Sequence, residues 1–185
     1  MADLRAGFER MEATRAGLLR SLASLDAETL NRKPDPQSWS ILQVIAHLTK
    51  SEGGTLQYIR KKTQDPGALP SAGVMAWLRA AALVAGFHSP LKFKAPKGLS
   101  DLPETSEFQA ASFAWAEVRE DWREFVEAFP DTLGGKMIFR HPFVGLLGPA
   151  QTMVFLNGHL ENHVRQISRI RKALNVPAPS PAPSL

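Results

Sequence analysis

Along four long stretches of this chain, apolar positions recur in alternating steps of three and four, and each stretch predicts an amphipathic helix. In the first, Leu4, Phe8, Met11, Leu18, Leu22 and Leu25 keep a heptad-like spacing with Arg15 in the one interrupted position, which predicts a helix over residues 2–26. Two prolines in Asn31-Arg-Lys-Pro-Asp-Pro then force an extended connection. The second stretch sets Ile41, Val44, Ile45 and Leu48 on one face, with Trp39 at the entrance to that face. Ser40 followed by Gln43 fits a capping box at its start, and the helix is expected to reach about residue 62, weakened or bent at Gly53-Gly54. The third carries Phe108, Ala111, Trp115, Val118, Trp122, Phe125 and Phe129, with Pro103-Glu104 expected at its start and Phe129-Pro130 at its end. The fourth is the most regular: Met153, Leu156, Leu160, His163, Ile167, Ile170 and Leu174.

The segments between these helices are less regular. Pro66, Gly67 and Pro70 make a loop, and the Ala-rich residues 71–87 read as an additional helix, too short and too interrupted by Arg79 to span a membrane. A crossing loop with Lys92, Lys94 and Lys97 follows. Residues 136–141 read as extended, and Pro142, Gly145, Gly148 and Pro149 lead into the last helix. The tail, residues 176–185, has no apolar period and four prolines, and reads as disordered. The fold class is therefore all-α: a four-helix bundle of one domain, residues 1–175, with an extra helix and long crossover between the second and third bundle helices.

Composition narrows the function classes. The net charge of +4 comes from 22 Lys and Arg against 18 Asp and Glu, too small an excess to imply nucleic acid without a concentrated patch. Trp115 and Trp122 could serve as stacking platforms only if exposed, and their heptad spacing argues burial. With no cysteine, disulfides and Cys-ligated metals are excluded, which leaves His and carboxylates as ligands. Asp3, Arg5, Glu9 and Arg10 break any signal-peptide-like run, so a cytoplasmic protein without a membrane anchor is expected.

The chemistry that remains lies with histidine. His163 occupies a seam position of the last helix, and His159 precedes it by one turn on the same side. Two imidazoles at i, i+4 can reach one metal ion from a single helix face, and a buried ring nitrogen needs a donor, a proton or a metal. His47 borders the buried face of the second bundle helix, three residues after Val44. Three ligands from two helices would leave positions open for water or substrate, the pattern of a catalytic site; the alternative is a set of hydrogen-bonded core histidines. The zincin motif is absent: Glu161, two residues after His159, points to the opposite side and pairs more naturally with Arg165. Around the three histidines, Ser51 faces the same way as His47, Gln166 could orient His163 or make a bundle-face hydrogen bond, and His141 reads as a turn residue capping local backbone, with a place near the mouth of the site as the alternative. Glu52 reads as part of a polar helix face, and His88 as a surface residue.

The run Trp39-Ser-Ile-Leu-Gln-Val-Ile-Ala-His47, taken with His159-Leu-Glu-Asn-His163-Val-Arg-Gln166-Ile, resembles the DinB-like superfamily, which includes the YfiT-type proteins regarded as metal-dependent hydrolases. The resemblance extends from the first helix to about Leu174, and His141-Pro142 followed by Gly145 resembles the lead into the last helix of these proteins. It implies one divalent metal ion, usually nickel or zinc, held by His47, His159 and His163. It also implies a small-molecule substrate and a homodimer. Relatives include transferases and isomerases that use a low-molecular-weight thiol such as mycothiol, bacillithiol or glutathione, held as its thiolate. The leading function is thus metal-dependent transfer or hydrolysis of a small molecule, with no general base among the residues. The competing one is a non-catalytic metal- or ligand-binding bundle of the stress response.

Overall fold

Ser40 begins the helix around which the others assemble. Its side chain accepts from the Gln43 N–H while the Gln43 side chain accepts from the Ser40 N–H, so two backbone donors that the first turn would leave open are satisfied. The amide of Gln43 also donates to the Pro103 carbonyl, tying this start to a distant segment. In the computed structural model, which describes residues 2–71 and 101–176 with 73, 75, 77–79, 81 and 86 between them, the chain forms α1 (Ala2–Leu22), α2 (Ala27–Asn31), α3 (Ile41–Thr63), α4 (Phe108–Glu127) and α5 (Pro149–Ala173). A two-stranded antiparallel hairpin, β1 (Phe139–His141) with β2 (Gly145–Leu147), precedes α5.

The four long helices close into a ring. α1 packs against α4 and α5, and α3 packs against the same two. Helices consecutive in the bundle, α1 and α3 or α4 and α5, therefore face each other across a diagonal. This arrangement sets α3 beside α5 although the hairpin and α4 separate them in sequence. Phe8, Met11, Leu22, Ile45, Leu48, Trp115, Trp122, Leu156 and Leu160 fill the interior, each at most 2% exposed. α1 and α5 cross at Gly7: a Cβ there would lie 2.7 Å from the Met153 Cβ, so only glycine permits this approach. One turn along α5, the Asn157 amide donates to the Gly7 carbonyl at 2.9 Å.

Several boundaries differ from the sequence reading. The first helix stops at Leu22; the Asp26 side chain then accepts from the Thr29 N–H and starts the separate α2, which Leu30 anchors in the core. Gly53 and Gly54 do not interrupt α3, where Gly53 gives Val118 of α4 room to pack. Pro103 and Glu104 do not start α4. They are drawn into cross-links instead: the Pro103 carbonyl binds Gln43, Glu104 pairs with Lys33 at 2.6 Å, and Ser106 exchanges two hydrogen bonds with Asn31. The extended stretch expected at 136–141 pairs as a hairpin rather than running alone, and Gly145 takes the positive φ of 79° needed at its turn. Most of the expected extra helix at 71–87, the lysine loop, His88 and the tail beyond Val176 lie outside the described residues; Met75, Trp77, Leu78 and Arg79 within that helix are helical. No helix among the described residues is long and apolar enough to cross a membrane.

Candidate metal centre

His47 reaches the centre from the second turn of α3, and His159 and His163 reach it from the middle of α5. The diagonal ring makes these two helices neighbours, and the three side chains meet: each offers a ring nitrogen within 4.8 Å of the other two. His159 Nε2 lies 3.1 Å from His163 Nε2 and 3.4 Å from His47 Nε2. His47 and His163 are buried, while His159 keeps partial access to solvent.

Hydrogen bonding fixes one tautomer. The Gln166 Oε1 lies 2.7 Å from His163 Nδ1, and a carbonyl oxygen can only accept, so Nδ1 carries the proton and Nε2 presents its lone pair. Gln166 lies at i+3 on the same helix, within reach of the His163 ring edge. Nε2 of a neutral imidazole carries either one proton or one lone pair. His159 Nε2 must donate to satisfy His163, and it then has no second proton for His47. Neutral tautomers can meet both contacts only by sharing the one His159 proton in a three-centre bond, whereas a cation among the three would face every lone pair directly.

The spacing fits such a cation. Metal–nitrogen bonds of about 2.0–2.1 Å in tetrahedral geometry set ligand nitrogens roughly 3.3–3.4 Å apart, and the two short contacts fall close to that value. Electrostatics point the same way, because metal ligation requires neutral imidazole. Burial, chiefly, pushes the pKa of His159 well below its ordinary value, helped by the neighbouring His163 and His47. Burial and the His47 charge lower His163 to about 4, against a small opposing effect of the Gln166 hydrogen bond. All of these shifts keep lone pairs available at neutral pH.

Aromatic rings line the site. Trp39, placed by the sequence at the entrance to the apolar face of α3, packs 4.9 Å from the His47 ring and 6.3 Å, nearly parallel, from that of His163. Phe155 stacks on His159 at 5.7 Å and meets His141 edge to face at 4.7 Å. Phe155 went unread, although its place four residues before His159 already put the two on one helix face.

The remaining candidates divide. His141, at the end of β1, is buried, and its Nδ1 accepts from the N–H groups of Phe143 and Val144, so it caps the hairpin turn and also borders the site through Phe155. Ser51 does not join: its hydroxyl donates to the Leu48 carbonyl within its own helix, and it makes no hydrogen bond to an imidazole. Glu52 is no surface residue. It is 1% exposed and faces α4, where its carboxylate accepts from Arg119 and from the indole of Trp115. That leaves no described carboxylate directed at the histidines.

Comparison with known proteins agrees with this architecture. Among solved structures the chain is similar to YfiT from Bacillus subtilis, described as a probable metal-dependent hydrolase with an unusual four-helix bundle topology; the TM-score is 0.58 at 14% identity, covering 93% of this chain and 87% of that one. At that identity the likeness is one of fold. No curated protein matches the sequence. The profile of the DinB superfamily matches residues 10–167, a span that holds the four-helix ring almost entire and all three converging histidines, and the chain belongs to that superfamily.

Proposed function

We propose that this protein is a metal-dependent enzyme acting on a small molecule, with one divalent ion, nickel or zinc, held by His47, His159 and His163. One observation carries the reading: three ring nitrogens from two helices converge at spacings that suit a shared cation. The description of YfiT as a probable metal-dependent hydrolase supports it. Bound there, a divalent ion supplies Lewis acidity, polarising an acceptor group and lowering the pKa of a nearby water or thiol. The chain's own residues do the positioning. Gln166 holds the His163 ring in the tautomer that presents Nε2, and Trp39 and Phe155 restrict the rotation of the ligand rings and exclude water from their faces. Three protein ligands leave room for substrate, and the reactions that suit a site without a described carboxylate are hydrolysis and transfer to or from a low-molecular-weight thiol, whose nucleophile needs no protein base.

A second reading, a non-catalytic metal- or ligand-binding bundle, is favoured by the engagement of Glu52 with Arg119, which removes the nearest acid on α3 from proton transfer. Elemental analysis of tag-free protein beside His163→Ala decides the first question. About one ion per chain, lost in the variant, is expected. Protein that takes up no divalent ion under any loading condition overturns the enzyme reading. With the loaded protein, turnover in a screen of thiols and activated esters separates catalysis from storage or sensing.

A further inference from the structure

His141 lies outside the three-histidine set, and its protonation pattern is fixed by the fold. The N–H groups of Phe143 and Val144 converge on Nδ1 at 3.3 and 3.4 Å, and two donors facing one nitrogen require that nitrogen to accept. Burial keeps the ring neutral at physiological pH, with a pKa pushed down to about 4. A neutral imidazole that accepts at Nδ1 must carry its proton on Nε2. That N–H sits on the ring edge away from the hairpin turn, and among the described residues no group accepts from it. The residue is 7% exposed, so nearly the whole ring is committed to packing while one donor is left over. Its position is also specific. His141 packs on Phe155, Phe155 stacks on His159, and a charge on His141 would be felt at His159.

A buried polar ring whose orientation is set from behind, with an unused donor in front and beside a candidate metal centre, is built to meet a ligand. We propose that His141 is a substrate-positioning residue that donates its Nε2–H to an acceptor oxygen, such as a carbonyl or carboxylate, of the small molecule bound at the three-histidine site. The proposal rests on the metal-site reading and adds to it a fixed, neutral hydrogen-bond donor and a preference for ligands that place an oxygen beyond the metal-binding atom. The hairpin then serves as a mount: its turn N–H groups lock the ring, and Gly145 lets the chain return into α5.

Two measurements test it. The first uses wild-type protein and needs no metal: nitrogen-15 spectra of the histidine rings should show His141 as the neutral Nε2–H tautomer at pH 7. The Nδ1–H tautomer, or a charged ring, overturns the proposal. The second uses cobalt-loaded protein titrated with acetohydroxamate, followed by the visible bands of the metal. His141→Asn retains an acceptor where Nδ1 stood and loses the Nε2 donor. It should keep the wild-type cobalt affinity at pH 7 and lose some thermal stability with the lost ring packing, but bind acetohydroxamate roughly tenfold more weakly. His141→Gln, whose amide reaches the Nε2 position, should recover part of that loss. Unchanged hydroxamate affinity in His141→Asn alongside normal cobalt uptake overturns the assignment of His141 alone. A wild-type protein that takes up no cobalt overturns the metal-site reading and this proposal with it.

Discussion

The Glu52 carboxylate and the Arg119 guanidinium form a two-point ion pair in the bundle interior, with Nε to Oε2 at 2.8 Å and the terminal nitrogen to Oε1 at 3.0 Å. Neither side chain is more than 2% exposed. The Trp115 indole donates to the same carboxylate, Trp122 donates to the Glu52 backbone carbonyl, and the far side of Arg119 pairs with Glu12 of α1, which Arg15 also engages. The network ties α1, α3 and α4 together, and each removed partner would leave a desolvated charge behind.

Glu52→Gln should accordingly destabilise the fold by about 3–5 kcal/mol, the usual result of breaking one side of a buried pair. Replacing both partners with apolar residues, as in Glu52→Leu with Arg119→Met, should recover most of that loss. Urea denaturation of the two variants checks this. Equal losses in the single and double variants would mean that packing, not the stranded charge, dominates.

The Gln166 contact predicts a loss of affinity without a loss of fold. Gln166→Leu frees His163 to take the other tautomer or rotate, which should weaken metal binding about 10- to 100-fold. Because Gln166 is half-buried at the edge of α5, the unfolding temperature of the metal-free protein should move little. Competition with a chromophoric chelator measures the first quantity, and thermal unfolding in chelator the second.

At the crossing of α1 and α5, Gly7→Ala places a methyl group within 2.7 Å of the Met153 Cβ. The helices must separate, at a cost of roughly 1–3 kcal/mol, and the Asn157 bond to the Gly7 carbonyl stretches with them. Met153→Ala in the same chain opens only the outer part of that space, so it should relieve part of the loss. Chemical denaturation of the single and double variants measures both.

The pH dependence has a definite sign. His141 is held near pKa 4 in the fold against 6.5 in the unfolded chain, so between those values the unfolded chain binds a proton that the fold refuses. Stability should be full above about pH 6.5 and fall as the pH drops towards 4, by on the order of 2 kcal/mol from this residue. His163 titrates in the same direction in metal-free protein. His141→Asn should therefore show a shallower acid limb in stability measured from pH 7 to pH 4.

The helices were legible from periodicity, and the meeting of the three histidines from their places on buried helix faces. Met153 to Leu174 keep their seam, and His163 stands in it, so its burial was readable without coordinates. The same rule, applied to charged residues, would have found more. Ile41, Ile45, Leu48, Glu52, Leu56 and Ile59 run in steps of three and four, as do Trp115, Arg119, Trp122 and Val126, so each seam hides a charge of opposite sign. A helix in a ring has two buried flanks, here towards α5 and towards α4, and Glu52 lies on the second. The late start of α4 and the short α2 were harder to see. They depend on Asn31, Lys33 and Gln43 capturing residues 103–106 across sixty or more positions of sequence, and local propensity carries no record of such pairings.

The diagonal ring has a consequence for the order of events as the chain is made. His47 and His159 are 112 residues apart in sequence and meet only where α3 and α5 pack side by side. If His47, His159 and His163 bind an ion as proposed, a nascent chain that has presented His47 lacks the other two ligands until α5 has emerged, so ion capture before that point is disfavoured by connectivity alone. If the three histidines bind an ion as proposed, its uptake would mark a chain in which the ring has closed, because α5 brings two of the three histidines with it.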